Sequence, residues 1–413
     1  MKQSIYIYAQ KPDALEFETL GRLTVENGEG EWVYSPIYEG PWVPDEVHYP
    51  LPSLQDRGKI FPVKTNNGLP GFILDLVPDN WGKSLIKKVI RKDIGHEFTD
   101  LDYLLLAQNK DRSGNLAVGG NKRPPKNLTI ENFPKFERAG DFIQLVELIR
   151  SGQAVENINL ALFQTSSGGA RPKITLRDEH DLYLAKPKDR DELVDIPKVE
   201  FLCLHFAATK GLNVADHSLE IISHQGSEKS LLVLKRFDRT YSKEHQIFER
   251  YPMVSALTLL DADWPIDNSN RWSYPLLANE MLRKNIPLED IHELYRRMAF
   301  NALIGNDDDH PKNHAFIYIE EQWRLAPLYD VVPHYGYSPP RLAMRIGVQD
   351  SLINRENFLS QCSQFLLTET QAAEILDEVA SWEDELRELY SQNLSSHDFN
   401  LINMALDGNK LLK

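Results

Sequence analysis

Three polar residues in the second half of the chain have the types and the spacing that phosphoryl transfer from a nucleotide requires. Asp308 lies in the polar run 304–314, Asn313 follows it by five residues, and Asp330 follows Asn313 by seventeen. A carboxylate can accept the proton of an attacking hydroxyl, and two further oxygen ligands can hold the Mg²⁺ of Mg-ATP. The spacing therefore indicates that Asp308 is a general base and that Asn313 and Asp330 are metal ligands.

A simple turn is the alternative for this run, because Asp and Asn side chains often bind their own backbone in loops. Asp307 and Asp309 flank Asp308, and like charges this close disfavour ionisation of one of the group. The choice of Asp308 as the base therefore rests on its five-residue step to Asn313.

The residues on either side of the run predict the elements that would position it. Apolar residues recur at helical spacing before the run, and they are Ile291, Leu294, Tyr295, Met298, Ala299, Ala302 and Leu303. An apolar, strand-like segment follows at 315–319. Helix, polar loop and strand form the setting in which protein kinases hold a catalytic Asp and a metal-binding Asn.

A second pair of charged residues, further upstream, has the order of the kinase Lys–Glu ion pair. The predicted strand 181–186 ends at Lys186, and Glu200 opens a helix predicted over 201–209. In kinases such a Lys contacts the α- and β-phosphates, and such a Glu pairs with it. The alternative is a Lys on an edge strand and a solvated Glu in a first helical turn, where the helix dipole favours it.

The run 164–173 combines Ser, Gly and Lys just before a strand predicted at 174–176. Consecutive glycines let backbone N–H groups approach a phosphate, and Lys173 could neutralise its charge. The run matches neither the P-loop nor the kinase glycine spacing, so a plain loop is the alternative. Further on, the apolar segment 231–234 leads into the polar turn 235–239, where a hinge would offer backbone groups to adenine.

Composition narrows the class of protein. The chain has 413 residues and a net charge of −15, which argues against direct binding of nucleic-acid phosphates by its own surface. Its two cysteines suit a reducing cytosol. The sequence has neither a signal-peptide pattern nor an 18-residue apolar stretch. We therefore expect a cytoplasmic protein that does not associate with membranes.

The order of the predicted elements indicates an α/β (α+β) fold of three parts. The first elements are strands near 5–8, 20–25 and 31–34 and helices over 83–91 and 100–108. Segment 121–126, with two prolines, is the best linker candidate. We place an N-terminal subdomain at 1–125, a nucleotide-binding part at 126–240 and a mostly helical catalytic lobe at 241–413.

Taken in order, these segments resemble the HipA family, the serine/threonine kinase toxins of bacterial toxin–antitoxin pairs. The resemblance covers nearly the whole chain. The similar segments are 76–80 (the family's Leu-Leu-Pro-Asp signature), 111–116 (its Gly/Ala-rich strand lead-in), 166–173 (its mobile phosphate loop), 233–239 (its hinge), 300–313 (its catalytic loop) and 324–330 (its metal-binding segment).

The resemblance implies a HipA-like kinase fold with ATP and Mg²⁺ bound between two lobes. It gives Asp308 the role of the base and gives Asn313 and Asp330 the metal. Ser166, or alternatively Ser167, stands where the family phosphorylates itself, which ejects the loop and switches the enzyme off. The residues implied for ATP binding are Ser167, Gly168, Gly169, Ala170, Lys173, Lys186, Glu200, Lys235, Phe237, His310, Lys312 and Tyr329.

Two departures from the family pattern bear on this site. Arg171 and Pro172 replace the usual Gln and a polar residue, which could alter the motion of the phosphate loop. Asp309 stands where the family often has Gly, and it adds a carboxylate beside the base.

The resemblance also implies a biological role. Such kinases phosphorylate a serine on a translation component, an aminoacyl-tRNA synthetase in known cases. A helix-turn-helix antitoxin (HipB-like) neutralises them and brings them to DNA. A Ser/Thr kinase toxin is favoured because Lys186, Asp308, Asn313 and Asp330 are all intact. One alternative is a kinase-fold binding module that serves as co-repressor, and another is a small-molecule kinase of the aminoglycoside type, which would lack the N-terminal lobe.

Overall fold

The computed structural model describes residues 2–10, 16–36, 58–89, 97–151, 171–224, 226–264, 270–408 and 411. The chain forms antiparallel sheets followed by a largely helical C-terminal part. This mixed α/β architecture confirms the predicted fold class. Every helix within the described ranges is too short or too polar to span a bilayer.

The N-terminal part is built on a five-stranded antiparallel sheet. In spatial order its strands are β4 (Ile60–Val63), β3 (Glu29–Tyr34), β2 (Phe17–Glu26), β1 (Gln3–Gln10) and β5 (Leu116–Gly119). Ile5, Ile7 and Ala9 alternate along β1 and point into the main core, as the two-residue period of a strand requires. Three helices accompany the sheet: α1 (Gly71–Leu74), α2 (Asn80–Val89) and α3 (Asp100–Leu106).

A second, four-stranded antiparallel sheet carries the lysine singled out above. In spatial order its strands are β6 (Ile174–Arg177), β7 (Leu182–Pro187), β9 (Ser227–Lys235) and β8 (His217–His224). Helix α4 (Ala139–Arg150) covers one face, where Phe142 and Val146 pack with Leu231 and Val233. Helix α5 (Ile196–Thr209) covers the other, where Leu232 and Leu234 belong to the main core. Because β7 lies between β6 and β9, it is an interior strand with both faces shielded.

The C-terminal part surrounds one long buried helix, α8 (Leu288–Ile304). The other helices are α6 (Ala256–Leu259), α7 (Tyr274–Arg283), α9 (Arg355–Ser360), α10 (Glu369–Ala380), α11 (Glu383–Asn393) and α12 (Ser396–Asn403). The remaining strands are β10 (Arg239–Ser242), β11 (Ile247–Arg250), β12 (Met253–Ser255), β13 (Ala315–Ile319) and β14 (Gln322–Leu325). Strands β12, β13 and β14 form a small antiparallel sheet, and β13 has the bounds predicted for it.

Buried arginines fasten the N-terminal part to the segment that follows β9. Arg236, Arg239 and Arg250 all donate to backbone carbonyls of the loop 109–116. Asp238, which is also buried, accepts from Arg236 at 2.7 Å and from the backbone N–H of Gly114 at 2.9 Å. The predicted hinge is therefore attached to the N-terminal part by hydrogen bonds that solvent does not reach.

Candidate active site

The polar loop of the predicted base begins where α8 ends. Gly305 adopts a left-handed conformation with φ 70° and terminates the helix, a common role for glycine. Asn306 then ties the loop back to the helix, because its Nδ2 donates to Asn301 Oδ1 at 3.1 Å. The Asn306 carboxamide oxygen accepts the backbone N–H of Asp308 at 3.2 Å. Asn306 therefore fixes the backbone that carries Asp308 to the end of α8.

The three consecutive aspartates have different environments. Asp309 is fully buried and accepts hydrogen bonds from Tyr274 Oη at 2.5 Å and from the backbone N–H of Ala343 at 2.6 Å. Burial raises the pKa of Asp309 to about 7, although these hydrogen bonds oppose the rise. Asp307 accepts from Tyr337 Oη at 3.1 Å. The Asp308 side chain is 83% exposed, so of the three it is the carboxylate most open to a substrate.

Asn313 and His310 lie next to Asp308. Asn313 Nδ2 donates to the backbone carbonyl of Asp308 at 2.8 Å, which leaves the amide oxygen of Asn313 available as a ligand. His310 Nε2 lies 3.9 Å from Asp308 Oδ1. Although the Asp308 side chain is largely exposed, desolvation by the surrounding protein raises its pKa; His310 opposes this rise, while Asp330 and Asp307 reinforce it. The predicted metal ligand Asp330 is thus one of the charges that act on the pKa of the predicted base.

Two aromatic side chains form the wall behind this loop. The imidazole of His310 meets the ring of Trp264 edge-on with centroids 4.9 Å apart, and Trp264 stacks on Trp272 at 5.4 Å. Lys312 Nζ lies 4.2 Å from the Trp264 ring centroid, a cation–π contact. Burial lowers the pKa of both His310 and Lys312. His310 and Lys312, both predicted to bind ATP, thus share one aromatic support.

Lys186 lies between Glu200, its predicted partner, and Asp330, the predicted metal ligand. Its Nζ lies 2.8 Å from Glu200 Oε1 and 2.7 Å from Asp330 Oδ1. Burial disfavours the charge on Lys186, but Asp330 and Glu200 outweigh it and raise the pKa of the lysine. Burial likewise opposes ionisation of Asp330, yet Lys186 and Lys173 hold the pKa of that carboxyl well below its usual range. Lys186 and Asp330 are therefore both charged at neutral pH.

The alternative for this pair, an edge-strand lysine and a solvated glutamate, is wrong. Lys186 is 4% exposed on an interior strand, and Glu200 is 0% exposed. Helix α5 begins at Ile196, five residues before the predicted start, because Asp195 accepts the backbone N–H of Lys198 and caps it. Glu200 consequently lies beyond the first turn and points inward.

Asp330 holds a strained backbone conformation. Its φ is 57°, a left-handed value that Asp tolerates better than most residues but that still costs energy. The backbone N–H of Asp330 donates to Glu200 Oε1 at 3.2 Å, which helps to fix this conformation. Such outliers concentrate at functional sites.

Lys173 and Arg171 lie at the end of the predicted phosphate loop and are each paired with a carboxylate. Lys173 Nζ is 3.1 Å from Asp79 Oδ2, and both side chains are buried. Asp79 also accepts the backbone N–H of Gly82 at 2.7 Å in the first turn of α2. Arg171 Nε donates to Glu192 Oε1 at 2.6 Å. The remaining loop residues of the prediction, Ser166, Ser167, Gly168, Gly169 and Ala170, lie outside the described residues.

The predicted adenine contacts lie at the start of the segment that follows β9. The ring of Phe237 is 6.3 Å from that of Tyr329, and both pack against Ala315 and Ala326. Tyr329 Oη donates to the backbone carbonyl of Lys312 at 3.0 Å. Lys235 is half-exposed and pairs with Asp181 at 2.8 Å. The result is an apolar surface with a charged margin.

The donor set fits a magnesium ion. Asp330 offers a carboxylate whose second oxygen is not used by Lys186, and Asn313 offers its amide oxygen. Oxygen ligands of this kind suit Mg²⁺, which usually takes one or two protein ligands and completes its shell with phosphate oxygens and water.

Several residues of the site were not predicted from the sequence. Asp79 lies in the signature segment 76–80, but its contact with Lys173 joins residues 94 positions apart. Tyr274 and Glu192 carry no motif of their own. Arg171 was identified only as a departure from the family pattern in the phosphate loop. None of these contacts has a local sequence signal, because each depends on packing between distant segments.

Comparison with known proteins identifies the family. The model of the HipA-like C-terminal domain matches residues 165–386. A protein from Haemophilus influenzae named "Putative kinase" is 28% identical over 181 residues, covering 40% of this chain and 52% of the relative. "Putative kinase Y4mE" from Sinorhizobium fredii is 28% identical over 159 residues, covering 37% and 36%. The chain thus spans about half of one relative and about a third of the other.

A solved structure shares the fold over nearly the whole chain. It is described as the Shewanella oneidensis MR-1 toxin–antitoxin system HipA, HipB and its operator DNA complex. The TM-score is 0.61 at 16% identity, with 99% of this chain and 96% of that chain covered. Because the family match spans more than half of the chain, the resemblance is confirmed, and the protein belongs to the family defined by the HipA-like C-terminal domain.

Proposed function

We propose that the protein is an ATP-dependent protein serine/threonine kinase that acts as the toxin of a bacterial toxin–antitoxin pair. The observation that carries the proposal is the buried contact of Lys186 with Glu200 and Asp330, beside the loop of Asp308 and Asn313. A lysine paired with a helix glutamate next to a metal-binding aspartate is the core of a kinase site. The relatives that are named as kinases support the same activity.

Each cluster of the site has one task in this proposal. Asn313 and Asp330 would hold Mg²⁺, which neutralises charge on the phosphates. Lys186, oriented by Glu200, would donate charge-assisted hydrogen bonds to phosphate oxygens. Asp308 would accept the proton of the substrate hydroxyl. The exposure of Asp308 and its separation from the buried Asp309 favour this assignment within the aspartate run.

The other predicted nucleotide contacts surround this centre. Lys173 and the loop before it would lie along the phosphates, and the segment at Lys235 and Phe237 would bind adenine beside the ring of Tyr329. His310 and Lys312 would contact the nucleotide from the aromatic wall at Trp264. Autophosphorylation at Ser166, or alternatively at Ser167, would add negative charge to the loop and repel the triphosphate.

The partners are also part of the proposal. We expect a helix-turn-helix antitoxin, because the solved structure of the same fold holds HipB and operator DNA. Contact with DNA would run through that antitoxin, in keeping with the net charge of −15. The substrate would be a translation-related protein of the cytoplasm, such as an aminoacyl-tRNA synthetase.

A binding experiment tests the nucleotide site. We expect calorimetry to detect Mg-ATP binding to the wild-type protein and to find it lost in Asp330→Asn, which removes the charge but tolerates the left-handed backbone. Asp350→Asn is the matched control, because Asp350 also has a left-handed φ of 61° but lies 59% exposed among Arg341 and Arg345. Wild-type affinity in Asp330→Asn would refute the site.

A transfer experiment tests the reaction. Labelled ATP and a bacterial lysate should show phosphate transfer by the wild-type protein, and Asp308→Asn should abolish it while leaving Mg-ATP binding intact. Asp307→Asn should keep most of the activity. Mass spectrometry of the protein after incubation with Mg-ATP would locate phosphate on Ser166 or Ser167. Binding of ATP without transfer to any protein would instead favour the kinase-fold binding module that acts as co-repressor.

A further inference from the structure

A turn of the N-terminal part is hydrogen-bonded to the segment that carries Trp264. The turn consists of Asn66, Asn67 and Gly68, which all have a left-handed φ, at 49°, 55° and 83°. Asn66 Oδ1 accepts the backbone N–H of Trp264 at 2.8 Å, and Asn66 Nδ2 donates to the backbone carbonyl of Ala262 at 3.3 Å. One side chain of the N-terminal part thus holds two backbone groups of that segment.

The N-terminal sheet fixes the position of this turn. An added Cβ at Gly68 would lie 2.5 Å from Gly30 N, and one at Gly30 would lie 2.1 Å from Gly68 O. The turn therefore packs backbone against backbone on β3, a close approach that glycine allows. Strand β3 is itself paired with β2 on one side and with β4 on the other. Left-handed non-glycine residues cost energy and concentrate at functional sites, so the conformation of Asn66 asks for a functional reason.

A second contact holds the other end of the same segment. Asp75, which directly follows α1, accepts the backbone N–H of Ser255 at 2.9 Å and its hydroxyl at 2.6 Å. Asp75 also accepts the hydroxyl of Thr258 at 2.7 Å. The N-terminal part therefore holds segment 255–264 at both of its ends.

Trp264 connects this segment to the loop of Asp308. The centroid of its ring lies 4.9 Å from that of His310 and 4.2 Å from Lys312 Nζ. His310 Nε2 in turn lies 3.9 Å from Asp308 Oδ1. A chain of direct contacts thus leads from Asn66 through Trp264 and His310 to the proposed base.

We propose that Asn66 is a positioning residue of the catalytic site, which orients His310 and Lys312 by holding Trp264. The N-terminal part is then a structural component of the active site. The inference rests on the proposed function, since it takes the loop of Asp308 to be catalytic. The Asn66 side chain bonds the backbone of the Trp264 segment, so its effect on the reaction is transmitted through the aromatic wall.

A purely structural role for Asn66 would be to tether the N-terminal part to the rest of the fold. Loss of a tether lowers the free energy of unfolding and exposes buried groups of both parts together. Loss of positioning instead loosens the wall at Trp264. It exposes Lys312 and slows phosphoryl transfer in a protein that is still folded.

Two variants of Asn66 test the positioning role. Asn66→Gly removes both side-chain bonds and suits the left-handed backbone. Acetylation by acetic anhydride, followed by mass spectrometry, measures the accessibility of Lys312. We expect this rate to rise roughly 2- to 10-fold in Asn66→Gly, which corresponds to the loss of about one net hydrogen bond. The initial rate of transfer from saturating labelled Mg-ATP to lysate proteins should fall by a similar factor.

Asn66→Asp separates the two bonds of the side chain. A carboxylate keeps the acceptor for the Trp264 N–H but loses the donor to Ala262. Both rates should therefore lie between those of the wild type and those of Asn66→Gly.

Asn67→Gly is the matched control. Asn67 has the same left-handed backbone as Asn66, but its side chain is exposed. Its replacement should leave both the acetylation of Lys312 and the transfer rate at the wild-type values. Lys173 is the internal reference for general opening, because it is 2% exposed and paired with Asp79 of the N-terminal part. Its acetylation rate should be equal in all variants.

Three results would overturn the inference. The first is an Asn66→Gly protein that matches Asn67→Gly in both rates. The second is faster acetylation of Lys312 with an unchanged transfer rate. The third is a rise at Lys173 equal to that at Lys312, which would show that Asn66 is only a tether.

Failure of the inference can be told apart from failure of the proposed function. If the wild-type protein transfers phosphate and Asn66→Gly transfers it equally fast, only the role of Asn66 is refuted. If the wild-type protein transfers no phosphate, the kinase function is refuted together with any catalytic role of Asn66. The acetylation of Lys312 then still decides whether Asn66 holds the aromatic wall.

Discussion

Two adjacent carboxylates in the polar loop perform opposite tasks. Asp308 is exposed and free to meet a substrate, whereas Asp309 is buried and accepts from Tyr274 and from the backbone of Ala343. Tyr274 is itself held by Asn301 on α8 at 3.2 Å. Asp309 therefore fastens the loop to the helix before it and to the segment after Asp330. The extra carboxylate that was expected to compete with the base instead positions the backbone that carries it.

Because Asp309 is buried, its ionisation should lower the stability of the fold as the pH rises, and Asp309→Asn should remove this pH-dependent loss. The pKa of Asp309 in the folded protein is about 7, above the value of about 3.9 for an unfolded chain. The contribution of Asp309 to the stability of the fold is thus fully present below about pH 4 and is lost as the pH rises through about 7. The free energy of unfolding of the wild type should fall relative to Asp309→Asn by up to about 1.4 kcal/mol per pH unit in this window.

Urea denaturation at half-unit steps from pH 5 to pH 8 measures this difference. Asn has no proton to lose, so the curves of the two proteins should diverge up to about pH 7 and then run parallel. Curves that stay parallel from pH 5 to pH 7 would mean that Asp309 is already charged in the folded state across this range.

At the scale of elements, the sequence predicted the order and the type of the helices and strands better than their positions in space. The helix, loop and strand around Asp308 follow from apolar spacing, and β13 has its predicted bounds. Periodicity also placed Lys186 on a strand and Glu200 on a helix. It could not tell that the strand is interior or that the helix starts at Ile196, because those facts depend on pairing with β9 and on the cap at Asp195.

Contacts between distant elements could not be predicted from the sequence, for a physical reason. The contact between Asp79 and Lys173 and the one between Arg236 and Arg112 each join elements from different parts of the chain. A buried charge needs a partner, but sequence alone does not say which distant residue supplies it. The charged residues of the site were therefore identifiable, while their pairing required the fold.

The end of α8 offers a test of how the loop is positioned. An added Cβ at Gly305, where φ is 70°, would lie 3.0 Å from Ala405 O and 3.1 Å from Pro339 Cδ. Gly305→Ala should therefore cost about 1–2 kcal/mol for the left-handed backbone and a further 1–3 kcal/mol for overpacking. Urea denaturation of the variant measures the sum.

Gly211→Ala separates the cost of the left-handed backbone from the cost of overpacking. Gly211 follows α5 with φ 77°, and an added Cβ there meets nothing within 4 Å. It should show only the backbone cost, so Gly305→Ala should lose clearly more stability than Gly211→Ala. Equal losses in the two variants would show that Ala405 and Pro339 move aside easily and that the loop is not held by this contact.

At the scale of the whole molecule, the parts predicted from the sequence share one core. Ile5, Val199 and Tyr390 belong to the same buried cluster although they come from the N-terminal, nucleotide-binding and helical segments. The division near residues 125 and 240 remains a prediction about organisation. The shared core and the arginine contacts to the loop 109–116 together predict that the N-terminal part does not unfold independently of the hinge.

Asp238 lies at the centre of the arginine contacts and gives the sharpest test of the coupling between the N-terminal part and the hinge. Burial disfavours the charge on Asp238, but Arg236, Arg239 and Arg250 outweigh it and hold its pKa well below the usual range. Its stabilising effect is thus present above about pH 4 and is lost as the pH falls towards the folded-state pKa. At pH 7, Asp238→Asn should cost about 3–5 kcal/mol, the effect of removing one partner from a buried ion pair.

The matched control is Asp181→Asn, which removes the partner of Lys235 from a pair that is more than a third exposed on both sides. Such a pair contributes only about 0–1 kcal/mol, so the midpoint of urea unfolding should hardly change. In Asp238→Asn, hydrogen–deuterium exchange of the strands of the N-terminal sheet and far-ultraviolet circular dichroism of the helices should lose their signals in one common transition at lower urea. If the N-terminal signal were lost first while the helical signal kept its wild-type midpoint, the N-terminal part would be an independent unit, and the arginine contacts would not couple it to the hinge.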